Sequence, residues 1–148
     1  MGVCALTQKP DAVLVALVKS WDENDIVQLY RAGRWWKDEY DPAGISGLMQ
    51  GSFAFVVASD ITTGHAIGMG RVISDGVSDA YIQDLVVLPS YRGRGIGLQI
   101  LTLLVNHCKQ SGLTWIGLIA EPDSEAFYTP LGFERMPGYI AMIYRSEQ

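Results

Sequence analysis

Short apolar runs alternate along the chain with segments whose apolar residues recur every three or four positions, and this pattern predicts both strands and helices. The runs have the length and the β-branched content that are typical of strands. The predicted strands are 13–18, 53–58, 66–73, 81–88, 115–120 and 139–144. The predicted helices are 20–32, 44–50, 95–111 and 124–131. The resulting order is β-α-α-β-β-β-α-β-α-β.

The first helix has both of its ends marked in the sequence. The run Ser20-Trp21-Asp22-Glu23 has the form of a capping box, in which a Ser and a Glu three residues later satisfy the first N–H groups. Gly33 is expected to end this helix. The segment 34–44 has no clear periodicity and predicts a loop.

The connections between the strands predict how the sheet is built. Strand 81–88, helix 95–111 and strand 115–120 form a crossover unit, which pairs its two strands in parallel. The short turns between the preceding strands predict antiparallel pairing. We therefore expect an α/β fold with a mixed, mostly antiparallel sheet, one parallel strand pair and flanking helices, in a single domain over residues 1–148.

A glycine-rich loop joins strand 81–88 to the long helix, and it predicts a phosphate-binding site. Gly93, Gly95 and Gly97 remove the Cβ atoms that would block the approach of a ligand. Arg92 and Arg94 add positive charge, and the first turn of the helix offers unpaired N–H groups. In open α/β sheets, ligands bind at such carboxyl ends of strands.

Two common phosphate-binding motifs do not fit this loop. The dinucleotide-binding fingerprint requires a third glycine at the position of Leu98. The Walker A motif ends in Gly-Lys-Ser/Thr, whereas the nearby lysine, Lys109, lies far along the helix.

The pattern that remains, Arg92-x-x-Gly95-x-Gly97 after an apolar strand, resembles the acyl-CoA pyrophosphate loop of the GCN5-related N-acetyltransferase (GNAT) family. A second segment, Phe127-Tyr128-Thr129-Pro130-Leu131-Gly132-Phe133, is similar to the Phe-Tyr-x-x-x-Gly-Phe motif of the same family. The resemblance is closest over residues 81–133. It implies the GNAT fold and acetyl-CoA as co-substrate, with no metal.

The resemblance also implies roles for individual residues. The strand backbone at 85–87 pairs with the pantetheine arm and polarises the thioester carbonyl, and the loop binds the diphosphate. At two positions where the family often has Asn and Ala, this chain has Glu121 and Ser124, and Ser124 is expected to replace the Asn contact. The implied cofactor-binding residues are Leu85, Val86, Val87, Arg92, Gly93, Arg94, Gly95, Ile96, Gly97, Ser124 and Tyr128.

Two catalytic residues follow from the resemblance and from the chemistry of amines. Tyr128 matches the tyrosine that gives a proton to the departing CoA thiolate. An amine acceptor with a pKa near 10 must lose a proton before it attacks. Asp84 is the first candidate for the base, Glu121 the second and a water relay the third, although Asp84 alternatively pairs with Arg71.

No residue has the setting of a covalent nucleophile. Cys108 lies in the middle of a predicted helix, and Ser90 has no neighbouring His. The amine is therefore expected to attack the thioester directly.

Charge and aromatic residues indicate the class of acceptor. Sixteen acidic residues against eleven basic ones give a net charge of −5, which argues against a nucleic-acid partner. Trp35 and Trp36, beside several carboxylates, are the predicted substrate-binding residues for a small cationic amine, although ordinary packing explains them equally well.

Composition also limits the expected cellular location and the expected partners of the protein. No apolar run is long enough to cross a membrane, and no secretory signal is recognised, so a cytoplasmic protein without a membrane partner is expected. Cys4 and Cys108 have no metal-binding spacing. A homodimer is left open.

Together these features predict an acetyl-CoA-dependent N-acetyltransferase that acts on a primary amine of a small cationic molecule. Three alternatives remain: a non-catalytic acyl-CoA sensor or interaction module, a peptide or protein N-acetyltransferase, and an enzyme that acylates a hydroxyl or transfers a longer acyl group.

Overall fold

The computed structural model describes residues 12–146, so Cys4 lies outside the described part of the chain. The strands are β1 (Val13–Leu17), β2 (Ala54–Asp60), β3 (Ala66–Ile73), β4 (Asp79–Val87) and β5 (Trp115–Leu118). The α-helices are α1 (Glu23–Ala32), α2 (Gly44–Gly51), α3 (Ile96–Gln110) and α4 (Glu125–Tyr128). Single 3₁₀ turns cover Pro89–Tyr91 and Thr129–Leu131. The predicted order is thus confirmed up to its last strand.

The five strands form one sheet in the order β1-β2-β3-β4-β5. The first three neighbouring pairs are antiparallel, and β4 and β5 are parallel. This arrangement confirms the predicted mixed sheet with its single parallel pair. The parallel pairing arises because α3 crosses over the sheet between β4 and β5.

The prediction of a sixth strand at 139–144 is wrong for this structure. These residues form no ladder with the sheet, and five of them have large apolar side chains that are 76% to 90% exposed. The run has the composition of a strand, but composition indicates only a tendency to form a strand at the edge of a sheet. It does not determine which edge the segment reaches.

The start of the first helix also differs from the prediction. Asp22, not Ser20, is the N-cap, and its carboxylate accepts the N–H of Asp25 at 3.0 Å. Asp caps a helix as well as Ser does, so the helix begins at the later of two suitable residues. Gly33 ends the helix as predicted, with its N–H donating to the carbonyl of Leu29.

Each face of the sheet carries one part of the core. Helix α3 packs on one face through Ile100, Leu101 and Leu104, all fully buried. Helix α1 packs on the other through Ile26 and Leu29. Burial of this apolar surface holds α3 in place, and with it the loop that precedes the helix.

The parallel strands stay paired over only part of their length. The ladder between β4 and β5 ends at Ile82 and Leu118, whereas β4 continues to Val87. The backbone of residues 83–87 therefore has no β5 residue beside it, and an opening forms between the two strands.

Candidate active site

A cavity of about 1060 Å³ lies at this opening. Its walls come from the second half of β4, the loop before α3, the end of β5 and the α4 region. It therefore lies at the carboxyl ends of the two parallel strands, where α/β sheets bind their ligands. Of the predicted site residues it is lined by Trp35, Asp84, Leu85, Val86, Val87, Arg92, Gly93, Gly95, Ile96, Gly97, Ser124 and Tyr128.

The glycine loop presents its backbone to the cavity without obstruction. Gly93 and Gly95 both have a φ of 78°, a conformation that side chains strongly disfavour. No atom lies within 4 Å of the position of a Cβ at either residue. Gly95 is also the N-cap of α3 and provides no side chain to satisfy the first N–H groups. These groups, with the positive end of the helix dipole, are suited to an anionic ligand.

The two arginines of the loop have different surroundings. The Nε of Arg92 donates to the carbonyl of Val87 at 2.9 Å, and Arg92 lines the cavity. The guanidinium of Arg94 lies 5.3 Å from the ring centroid of Tyr91 and donates to the carbonyl of Ser90. Arg94 is absent from the cavity wall.

The two family-like motifs contact each other in space. A Cβ at Gly97 would lie 3.3 Å from the Phe127 ring, so glycine lets the ring pack on the first turn of α3. The Tyr128 ring packs edge-on against Phe127 and Phe133, with centroid distances of 5.0 and 5.9 Å. The two motifs therefore form one wall of the same cavity.

Tyr128 lies in a setting that keeps its hydroxyl protonated. Burial raises the pKa of Tyr128, and the negative charge of Glu121 raises this pKa further. A phenol with a raised pKa keeps its proton at neutral pH and can therefore act as a proton donor.

Asp84 lines the cavity, but other side chains hold its carboxylate. A β-bulge places an extra residue in β4, and Asp84 takes a φ of 60° there. The Nε of Arg71 donates to its Oδ2 at 2.6 Å, and the hydroxyl of Tyr30 donates to the same oxygen at 2.8 Å. The Arg71 and Asp84 side chains are only 16% and 18% exposed. Burial, followed by the charge of Asp84, raises the pKa of Tyr30.

Glu121 and Trp35 meet at another part of the cavity wall. The Nε1 of Trp35 donates to Oε1 of Glu121 at 3.2 Å, and both residues line the cavity. The Trp35 ring lies against Gly33, at the end of α1. The Oγ of Ser124 donates to the carbonyl of Glu121 at 2.7 Å, which holds Ser124 beside Glu121 in the loop between β5 and α4.

Trp36, the second predicted substrate-binding residue, is placed differently. It packs against the rings of Tyr30 and Tyr40, with centroid distances of 6.4 and 5.4 Å, and lies outside the cavity wall. Of the two predicted tryptophans, the structure thus places Trp35 with the rest of the site and Trp36 outside it.

Several residues of the site were not predicted. Tyr30 belongs to the Asp84 cluster, although no sequence motif marks it as a site residue. Further wall residues that the sequence did not single out include Tyr81, Gln83, Tyr91, Leu118 and Ile119. Gln83 and Asp84 line the same cavity because of the β-bulge at Asp84. No local sequence pattern specifies this bulge.

The described residues include no cluster of three or more His, Cys, Asp or Glu side chains arranged to hold a metal ion. No helix within residues 12–146 is both long and apolar enough to span a membrane.

The model of the acetyltransferase (GNAT) family matches residues 14–133. This chain belongs to the GNAT family. Its sheet, with a cavity where β4 and β5 separate, is the fold that the sequence resemblance implied. The GNAT resemblance stated from the motifs is thus confirmed.

Two curated relatives are similar to this GNAT chain over part of its length. Serotonin N-acetyltransferase 2, a chloroplastic protein of Oryza sativa subsp. japonica, is 37% identical over 59% of this chain and 44% of the relative. The chloroplastic GCN5-related N-acetyltransferase 1 of Arabidopsis thaliana is 32% identical over 73% of this chain and 55% of the relative. The chain thus spans about half the length of these relatives.

A solved GNAT structure is similar over almost the whole chain. A GNAT family acetyltransferase from Streptococcus pneumoniae TIGR4 is 25% identical with a TM-score of 0.76. The likeness covers 93% of this chain and 100% of the other.

Proposed function

We propose that this protein is an acetyl-CoA-dependent N-acetyltransferase that transfers the acetyl group directly to a primary amine of a small cationic molecule. One observation carries this proposal: a single cavity is lined by an open glycine loop together with Tyr128, Glu121 and Trp35. The glycine loop suits a diphosphate, and Glu121 with Trp35 suits an amine. The part of β4 beyond its ladder with β5 lines the same cavity.

The chain offers acetyl-CoA two kinds of contact. The N–H groups at the start of α3 and the Arg92 guanidinium bind the diphosphate. The side of residues 83–87 that faces away from β3 has no pairing with β5, and it pairs with the amide groups of the pantetheine arm, much as an added strand would. A backbone N–H on this edge also stabilises the negative charge that develops on the thioester carbonyl oxygen.

The reaction needs one proton acceptor and one proton donor. The ammonium first loses one proton to the base, and the neutral amine attacks the acetyl carbonyl. The C–S bond then breaks, and the nitrogen loses a second proton, which balances the proton that the thiolate takes up. Tyr128 gives its proton to the departing thiolate, since its raised pKa keeps the phenol protonated until then.

Glu121 is the base that the geometry favours over Asp84. The Oδ2 of Asp84 already accepts hydrogen bonds from Arg71 and Tyr30, so these side chains occupy the carboxylate. Glu121 is exposed to the cavity and accepts only the indole N–H of Trp35 among the described side chains. It takes the amine proton directly or through one water.

The acceptor side suits an ammonium group carried on an aromatic or aliphatic body. The Trp35 ring offers a flat apolar face, and the carboxylate of Glu121 lies at its edge. The rice relative is named for serotonin, an aromatic primary amine, and such a molecule has both features. The net charge of −5 also favours the approach of a cation.

A thiol-release assay tests the proposed activity. With acetyl-CoA and a panel of arylalkylamines, polyamines, aminoglycosides and peptide N-termini, we expect CoA release with at least one small amine. Release only with peptides would favour the peptide N-acetyltransferase. Binding of acetyl-CoA without release for any acceptor would favour the sensor.

Substitutions of the two tryptophans should have different effects on KM in the same assay. Trp35→Leu removes a ring from the cavity, so we expect KM for the best amine to rise about fivefold, the equivalent of about 1 kcal/mol for an exposed cation–π contact. Trp36→Leu, the matched control outside the cavity, should leave this KM within twofold. Equal effects of both changes, or none, would remove Trp35 from the acceptor site.

A further inference from the structure

Tyr91, which directly precedes the glycine loop, makes a hydrogen bond that the proposed reaction does not use. Tyr91 ends the 3₁₀ turn Pro89–Tyr91 and lines the cavity. Its hydroxyl donates to Oδ2 of Asp60 at 2.6 Å, and the two residues are 31 positions apart in the chain. The bond therefore joins the turn before the glycine loop to a distant part of the sheet.

Asp60 is a fixed acceptor for this bond. It is the last residue of β2 and is only 3% exposed. Its backbone N–H donates to the carbonyl of His65, and its Oδ1 accepts the N–H of Thr62 at 2.8 Å. The hydrogen bond from Tyr91 lowers the pKa of Asp60, so the carboxylate is ionised at neutral pH. Because a hydrogen bond to an ionised acceptor is stronger than one between neutral groups, Asp60 holds Tyr91 firmly to the β2–β3 hairpin.

The glycine loop depends on its neighbours for its shape. Glycine populates many backbone conformations at similar cost, so the φ of 78° at Gly93 and Gly95 is permitted but not enforced. Residues 92–95 therefore rely on the segments at their two ends. At one end, Ile96 is 4% exposed and fixes the start of α3 in the core. At the other end is Tyr91, with its hydrogen bond to the hairpin.

We infer that Tyr91 is a positioning residue: bound to Asp60, it holds the glycine loop in the conformation that accepts the diphosphate of acetyl-CoA. A loop that already has its binding conformation loses less conformational entropy when the ligand binds, so the affinity is higher. Tyr91 acts through the loop and takes no part in the transfer of the acetyl group. The inference rests on the proposed function, since it concerns the affinity for acetyl-CoA.

Removal of one hydroxyl isolates this contribution. Tyr91→Phe keeps the aromatic ring, and with it the contact of the Arg94 guanidinium, 5.3 Å from the ring centroid. It removes the bond to Asp60. We expect the Kd for acetyl-CoA, measured by calorimetry, to rise about tenfold, because the free loop then samples other conformations. The kcat with both substrates saturating should stay within about twofold of the wild type, since the bound diphosphate restores the loop.

Two controls separate positioning from a general loss of stability. Trp21→Phe also removes a donor to a mostly buried carboxylate, the 2.9 Å bond from Nε1 of Trp21 to Oδ2 of Asp25, but Trp21 lies outside the cavity wall. This variant should bind acetyl-CoA with the wild-type Kd. The second control is S-acetylpantetheine, which carries the same thioester without the diphosphate. Tyr91→Phe and the wild type should use it with the same kcat/KM.

A double variant tests whether Tyr91 acts through Asp60. Asp60→Asn alone should raise the Kd for acetyl-CoA, because an amide has one acceptor atom for the bonds that the carboxylate accepts at two. In the Tyr91→Phe protein the bond is already lost, so adding Asp60→Asn should change this Kd by less than about twofold.

Three results would overturn the inference. They are an unchanged Kd in Tyr91→Phe, additive effects of the two changes, and an equal loss of kcat/KM with acetyl-CoA and with S-acetylpantetheine. If the wild type itself failed to bind acetyl-CoA, the proposed function would be refuted together with the inference. Normal binding by the wild type and by Tyr91→Phe would refute the inference alone.

Discussion

Replacing Gly95 with Asp is expected to lower the affinity for acetyl-CoA at least tenfold, or about 1.4 kcal/mol. Gly95 is the N-cap of α3, and the space beside it is empty. A carboxylate there would accept the N–H groups of the first turn that the diphosphate needs. It would also repel the phosphates. Isothermal titration calorimetry measures the change.

Gly64→Asp is the matched control for this experiment. Gly64 has a φ of 76° against 78° for Gly95, and neither has an atom within 4 Å of a Cβ. Both changes therefore force Asp into the same disfavoured backbone conformation. Gly64 lies in the β2–β3 turn, so its variant should bind acetyl-CoA normally. Equal affinity for the two folded variants would remove the loop from the diphosphate site.

The glycine loop could be predicted from the sequence because its information is contiguous. The strand, the three glycines and the helix follow one another over about fifteen residues, and each has a local signature. The backbone conformation that the glycines permit is the one observed at Gly93 and Gly95. The order of the strands in the sheet could also be predicted, because the turn lengths and the α3 crossover limit the number of possible strand arrangements.

The rest of the cavity wall could not be predicted in the same way, because it depends on contacts between distant residues. Trp35 and Glu121 are 86 residues apart, and Tyr30 and Asp84 are 54 apart. These contacts depend on how α1 packs on the sheet and on where β4 and β5 lie within it. The surroundings of Asp84 depend in addition on a bulge that strand periodicity does not reveal.

The segment 139–144 shows a different limit. Its strand-like composition is evident, but its own sequence does not determine whether it joins a sheet.

Glu121→Gln is expected to lower kcat at neutral pH about a hundredfold, the lower end of what a general base contributes. The amide oxygen of Gln can still accept the Trp35 indole N–H, so the wall keeps its shape. The deficit should shrink as the pH rises past about 10, since a primary amine is mostly uncharged only above its pKa and then no longer has to lose a proton before it attacks. The measurement is kcat as a function of pH with the best amine.

Asp84→Asn is the same chemical change at the other carboxylate, and it should affect stability more than turnover. It leaves Arg71 without its charged partner in a mostly buried pair. Breaking a fully buried pair costs about 3–5 kcal/mol, so a loss of roughly 2 kcal/mol in the free energy of unfolding is expected for this partly exposed one. Asn tolerates the positive φ of Asp84, so the bulge should remain. If instead Asp84→Asn abolished turnover in a stable protein and Glu121→Gln left it unchanged, Asp84 would be the base and its ion pair with Arg71 would open during the reaction.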